Sequence, residues 1–190
     1  MFITIFEILD MILMIAVVGF IFKDAFKIQK KTDDLEGYLK RSRFRWDDFW
    51  FAAMVTAPAI ILHEIGHKVT ALSFGLSAEF HAAYLWLLVG LILKLVNFPF
   101  IFFVPAYVSI AGAAAANEST WIAFAGPGIN LLLFLTGLII VKASRLKGRK
   151  LEFWVLTKNI NMFLFIFNML PIPGFDGFTF FSSLWRLLGL

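Results

Sequence analysis

Long apolar runs dominate the sequence and restrict its fold more than any other feature. Residues 2–22, 49–74, 120–141 and 153–170 each approach or exceed the roughly 20 apolar residues that a helix needs to cross a bilayer. Hydrophobic residues make up 61% of the chain and charged residues only 16%, which is too little polar surface to cover an apolar core in water. We therefore predict an all-α polytopic membrane protein with about four transmembrane helices, built as a single integral membrane domain over residues 1–190.

The first run, within residues 1–22, is predicted to be the first transmembrane helix. A removable signal peptide is the alternative, but a basic leader is missing and Glu7 and Asp10 lie early in the run. No small-residue cleavage site follows it either. Residues 23–48 are then predicted to form a basic connecting segment.

Positive charge is concentrated in two connecting segments. Segment 23–47 carries eight Lys or Arg and segment 142–150 carries five, so we expect both on the same side of the membrane. This requires that residues 82–110 begin and end on the same side of the membrane. The positive-inside rule alone places both segments in the cytosol.

Residues 82–110 are apolar but irregular. Asn97, Pro99 and Pro105 interrupt them, together with Lys94. One long span is the alternative, but irregular backbone at membrane depth survives only against protein or a wet cavity. We therefore predict a re-entrant or short β segment here. Residues 178–190 are short and amphipathic, and predict a C-terminal helix at the membrane interface.

The cysteine content and the net charge restrict the possible metal ligands and the class of partner. Cysteine is absent, so a metal site would have to use His, Asp, Glu or Asn. The net charge of +4 suits a membrane surface as well as a nucleic acid, and basic residues interleaved with exposed aromatics are missing. We therefore predict the lipid bilayer, and no nucleic acid, as a partner.

The stretch HEIGH, residues 63–67, places polar side chains inside an apolar helix. His63 and His67 are four residues apart, so both imidazoles lie on one helix face and can bind one Zn²⁺. Glu64 projects beside them and can act as general base toward zinc-bound water, the predicted nucleophile. Isolated histidines in apolar helices are more often packing residues, but ionisable groups at bilayer depth indicate function.

Zinc in a catalytic site needs a third protein ligand. Asp176 is the strongest candidate, because it lies in a helix end that two prolines and two glycines break. Glu79, His81 and Glu118 are the alternatives. Asn168, at the same bend, is either a helix cap or an amide that holds a developing oxyanion.

The two elements together resemble the site-2 protease family of intramembrane zinc metalloproteases. The family patterns are HExxH and N-x-x-P-x-P-x-x-D-G, and the second is matched by Asn168, Pro171, Pro173, Asp176 and Gly177. The segment AGPGIN, residues 125–130, also resembles the family's intervening helix. The resemblance covers a catalytic core of about residues 49–180.

The resemblance implies a set of roles. His63, His67 and Asp176 would bind zinc, Glu64 would be the general base, and Asn168 would orient the substrate or the transition state. The substrate would be a transmembrane helix of another protein, unwound near the site and cleaved at a peptide bond. The expected location is a prokaryotic cell membrane.

The chain also departs from the family pattern. It has no PDZ or CBS domain, and only 14 residues follow Asp176, so we expect a regulatory membrane partner or the first helix to gate substrate access. Residues 82–98 add an apolar piece that minimal members lack. The family orientation places the basic segments outside, against the positive-inside rule, and we favour the family orientation.

Two other functions fit parts of the sequence. A non-catalytic membrane adaptor of the same fold could bind metal or a helix, but it would have no use for Glu64. A metal transporter would be expected to repeat His and Asp in several helices.

Overall fold

The computed structural model describes residues 3–26, 44–98 and 104–189. Within these ranges the chain forms six helices and a two-stranded sheet. In chain order the elements are α1 (Ile5–Phe22), α2 (Trp46–Ser73), β1 (Ser77–Ala82), α3 (Tyr84–Leu95), β2 (Ala106–Ala111), α4 (Ala116–Ala143), α5 (Gly148–Asn168) and α6 (Asp176–Leu187).

Three of the described helices, α1, α2 and α4, are long and apolar enough to cross a membrane. They coincide with three of the predicted spans. The fourth predicted span is also a helix, α5, with 21 residues. However, Lys158, Asn159 and Asn161 interrupt its apolar sequence, so it is less apolar than the other three. Four membrane crossings therefore stay a prediction.

The stretch between α2 and α4 contains the sheet. β1 and β2 are antiparallel, with Phe80 opposite Val108 and Ala82 opposite Ala106. The chain therefore leaves the sheet after Ala82, forms α3, and returns beside its starting point. The predicted short β segment is thus present in β2, whereas β1 begins before the predicted range. Residues 99–103 of the predicted re-entrant segment lie outside the described residues.

The sheet packs on α1 and α2. Buried side chains of α1, α3 and both strands form one apolar cluster: Met14, Val18, Phe80, Ala82, Leu87 and Ala106. Along α1, Gly19 lets α2 approach closely, because a Cβ at this position would lie 3.0 Å from the Cβ of Ala53. The sheet is therefore fixed against the side of the first two helices.

Arg149 joins three chain segments at one end of the bundle. Its guanidinium lies 3.5 Å from the Asp48 carboxylate at the start of α2 and donates to the backbone carbonyl of Phe26. It also lies over the Phe51 ring, 3.4 Å from the centroid. The ends of the two basic segments therefore meet at the same end of the helices, as the charge distribution predicted. Residues 27–43 of the first segment lie outside the described residues.

Candidate metal centre

Three predicted ligands converge at one point between α2, α4 and α6. The Nε2 atoms of His63 and His67 are 3.0 Å apart. Oδ2 of Asp176 lies 3.1 Å from the first and 3.3 Å from the second. All three are buried or half-buried, and among the described residues they form the group of His and acidic side chains that could hold a metal ion.

This donor set fits zinc. A tetrahedral zinc ion with bonds of about 2.0–2.1 Å separates its ligand atoms by roughly 3.3 Å, close to the separations between the three atoms. Two histidines and one carboxylate also leave the fourth tetrahedral position open, which is typical of catalytic rather than structural zinc sites.

The ring of His63 is oriented by a buried amide chain. Its Nδ1 lies 2.6 Å from Oδ1 of Asn130. The amide nitrogen of Asn130 donates to the carbonyl of Ala59 at 3.0 Å and to Oδ1 of Asn161 at 2.9 Å. Because Oδ1 can only accept, Nδ1 of His63 carries the proton. Its Nε2 is then left with a lone pair that faces the metal position.

The ring of His67 is oriented by backbone. Its Nδ1 donates to the carbonyl of Ile122 at 2.7 Å, so Nε2 again carries the free lone pair. Pro127, inside α4, has no N–H to bond the carbonyl four residues earlier, and this opens the helix ladder next to Ile122. The helix α4, which contains the AGPGIN segment, therefore supplies partners to both histidines.

Two glycines allow α2 and α4 to approach at the metal group. A Cβ at Gly66, inside the HEIGH motif, would lie 2.9 Å from the carbonyl oxygen of Ala125. A Cβ at Gly126 would lie 2.7 Å from Nε2 of His63 and closer still to Nε2 of His67. Gly126 therefore leaves the metal position open.

Asp176 reaches the histidines because the chain turns sharply after α5. Gly174 has a φ of +96°, which side chains rarely adopt, and Gly177 lets the next turn pack directly on the backbone of Met169. Asp176 therefore brings a carboxylate oxygen, the third candidate donor, beside the two imidazoles.

Glu64 lies beside the metal group and faces the sheet. It lines the same cavity as His63, His67 and Asp176. Val108 of β2 lines this cavity too, and its backbone N–H is directed toward the Glu64 carboxylate. Asn168, the last residue of α5, also lines this cavity.

The alternative third ligands lie elsewhere. Glu79 and His81 are in β1, where Glu79 is exposed and Nε2 of His81 is hydrogen-bonded to Oγ of Ser109 at 3.0 Å. Glu118 accepts a hydrogen bond from the backbone N–H of Ala115 and caps the start of α4. The structure therefore brings none of them to His63 and His67.

The cavity beside the metal group has a volume of about 810 Å³. Most of its wall is apolar. It is lined by aromatic and aliphatic side chains of α1, α3, α5, β2 and the residues just before β2, among them Phe22, Trp86, Val104, Ile110, Phe163 and Leu164. Polar groups are concentrated at the metal end, so this space suits an apolar chain segment whose polar backbone faces the metal.

Three residues around the metal group were not named individually as site residues from the sequence. Asn130 and Asn161 are fully buried, with 0% and 1% of their surfaces exposed. Each is a polar residue in the middle of an apolar run, and this position could have indicated a buried hydrogen-bonding role. No local pattern marks the Val108 amide, because its position depends on strand pairing.

The chain has relatives among known proteins. It is 35% identical over 148 residues to a protein of Methanocaldococcus jannaschii whose name describes a candidate zinc metalloprotease. The match covers 75% of this chain and 76% of the relative. No protein-family model matches the chain, and no solved structure matches it significantly. The chain belongs to the same family as this archaeal protein, the zinc metalloproteases that its name describes.

Proposed function

We propose that the protein is an intramembrane zinc endopeptidase of the site-2 type, which hydrolyses a peptide bond in or near a transmembrane segment of another protein. Zinc is the proposed cofactor, held by His63, His67 and Asp176. The observation that carries the proposal is the position of the HEIGH motif inside α2, a helix long and apolar enough to cross a membrane. Glu64 lies nine residues before Ser73 at the helix end, which is roughly 14 Å along the axis.

The residues divide the reaction between them. Zinc held by His63, His67 and Asp176 would supply positive charge to polarise the scissile carbonyl and to acidify a water molecule. Glu64 takes a proton from the attacking water as the new C–O bond forms, and gives it to the amide nitrogen as the C–N bond breaks. The side-chain amide of Asn168 donates to the developing oxyanion.

The cavity supports an apolar substrate. A helical segment hides its backbone, so the cleaved stretch must unwind before its carbonyl can reach the metal group. Unwinding exposes backbone polar groups, and the polar end of the cavity offers them partners. The apolar walls accommodate the flanking side chains. A single-span membrane protein is therefore the proposed substrate, and the lipid bilayer surrounds both proteins. A regulatory membrane protein is the proposed partner that controls substrate access.

The experiment is a cleavage assay in detergent and in lipid vesicles. The full-length chain is incubated with a single-span membrane protein and, separately, with a soluble unfolded polypeptide. We expect cleavage of the membrane substrate, loss of cleavage with a zinc chelator and recovery when zinc is restored. A protein that binds zinc and the membrane substrate but cleaves neither would instead be the adaptor of the same fold.

A further inference from the structure

Two buried carboxylates of α1 occupy the outer edge of the sheet. The backbone N–H of Phe80 donates to Glu7 at 2.7 Å, and that of Ala82 donates to Asp10 at 3.0 Å. The hydroxyl of Tyr84 also donates to Asp10. Edge amides of a strand are normally paired by another strand or by water. Here the carboxylates of a helix take the place of a third strand.

Glu7 also joins the sheet to the metal-binding helix. Its carboxylate pairs with the ammonium group of Lys68, the residue that directly follows His67 in α2. Only 3% of Glu7 and 2% of Lys68 are exposed. Neither charge would be buried at this level without the other. The reaction described above uses neither residue.

The strand register carries this link to Glu64. Phe80 pairs with Val108, and the N–H of Phe80 points outward to Glu7. In such a non-hydrogen-bonded antiparallel pair, both backbone N–H groups face away from the partner strand. The N–H of Val108 therefore faces the opposite edge, toward the cavity that Val108 and Glu64 both line. This residue pair of the sheet thus lies between Glu7 on one edge and the cavity with Glu64 on the other.

We propose that Glu7 is a positioning residue: by holding β1 to α2, it places the Val108 N–H, and with it β2, beside Glu64. Its effect on catalysis rests on the proposed protease function. Its effect on the sheet does not, and the two are measured separately.

Two double variants isolate the hydrogen bond to the sheet. Both replace Lys68 with Met, so that no unpaired ammonium group is buried. Glu7→Gln with Lys68→Met keeps an acceptor for the Phe80 N–H, whereas Glu7→Met with Lys68→Met removes it at nearly the same side-chain volume. Glu79→Gln, on the exposed side of β1, is the matched control.

Amide hydrogen exchange of residues 106–111 is the first measurement. The hydrogen bond of Glu7 to the sheet is made to β1, so faster exchange in β2 reports transmission through the strand pair. We expect exchange in this segment to rise about tenfold in the Glu7→Met double variant, and to stay near the wild-type rate in the Glu7→Gln double variant and in Glu79→Gln. Equal exchange in the two double variants would overturn the proposal, whether or not the protein cleaves any substrate.

Cleavage rate per bound zinc is the second measurement. We expect a drop of about 10- to 100-fold in the Glu7→Met double variant, with about one zinc per chain retained and KM little changed. A purely structural role would lower zinc content and activity in proportion, and that result would overturn the proposal. If the Glu7→Met double variant does not retain zinc, Glu7→Asp provides the comparison, because it keeps the charge beside Lys68 but is one methylene too short to reach both partners. Wild-type exchange in Glu7→Asp would then count against the proposal.

Discussion

Oδ1 of Asn130 lies 2.6 Å from Nδ1 of His63 and fixes which nitrogen of that ring faces the metal position. The two residues come from α4 and α2. The other end of the Asn130 amide is hydrogen-bonded to Asn161 of α5. The geometry of a ligand in the HEIGH motif therefore depends on two helices that supply no ligand.

Replacing Asn130 tests this dependence. Asn130→Leu keeps nearly the same shape but removes the acceptor that orients His63, and we expect zinc affinity to fall about 10- to 100-fold. Competition with a zinc chelator of known affinity measures the change. Asn159→Leu is the matched control, since Asn159 is exposed on α5. Equal losses in the two variants would contradict a specific role for Asn130.

Gly126 tests the position of the metal. Gly126→Ala puts a methyl group against Nε2 of both histidines, so we expect zinc content to fall from about one per chain to below about a tenth. Gly128→Ala is the control, because its Cβ meets only the Phe124 ring, at 3.3 Å. Elemental analysis of the purified variants gives the zinc content. Full zinc content in Gly126→Ala would place the metal elsewhere.

Asp176 is tested against the alternative ligands. Asp176→Asn keeps the shape of the side chain but removes its charge, and we expect zinc affinity to fall by at least about tenfold. Glu79→Gln and His81→Ala should leave affinity unchanged, because both residues lie in β1 away from the metal group. A loss in His81→Ala together with full affinity in Asp176→Asn would assign the third ligand to the sheet.

Local features made the helices and the ligands predictable. The apolar runs predict helices because their length and apolarity can be read from one continuous segment, without knowledge of its contacts. His63 and His67 share a face through helical spacing alone. Asp176 could be predicted because the Pro and Gly residues before it end a helix and turn the chain, and because the residues around it resemble a known family pattern.

The pairing of the sheet and the contacts between helices could not be predicted, because they depend on residues far apart in the sequence. β1 has six residues and no apolar run, so its pairing with β2 leaves little trace in the sequence. The contact between His63 and Asn130 joins residues 67 positions apart, and depends on how closely Gly66 and Gly126 let the helices approach. The predicted number of membrane crossings also depends on α5. Its buried Asn161 is hydrogen-bonded to Asn130 beside the metal group, and this polar residue makes the helix less apolar.

Zinc content and cleavage rate of Glu64→Gln, measured side by side with wild type, test the central claim most directly. Gln has nearly the same shape as Glu but cannot accept the proton of the attacking water. The account predicts about one zinc per chain in both proteins, and a cleavage rate for the single-span membrane substrate that falls by at least about a hundredfold in the variant. Cleavage at the wild-type rate by zinc-loaded Glu64→Gln would contradict it.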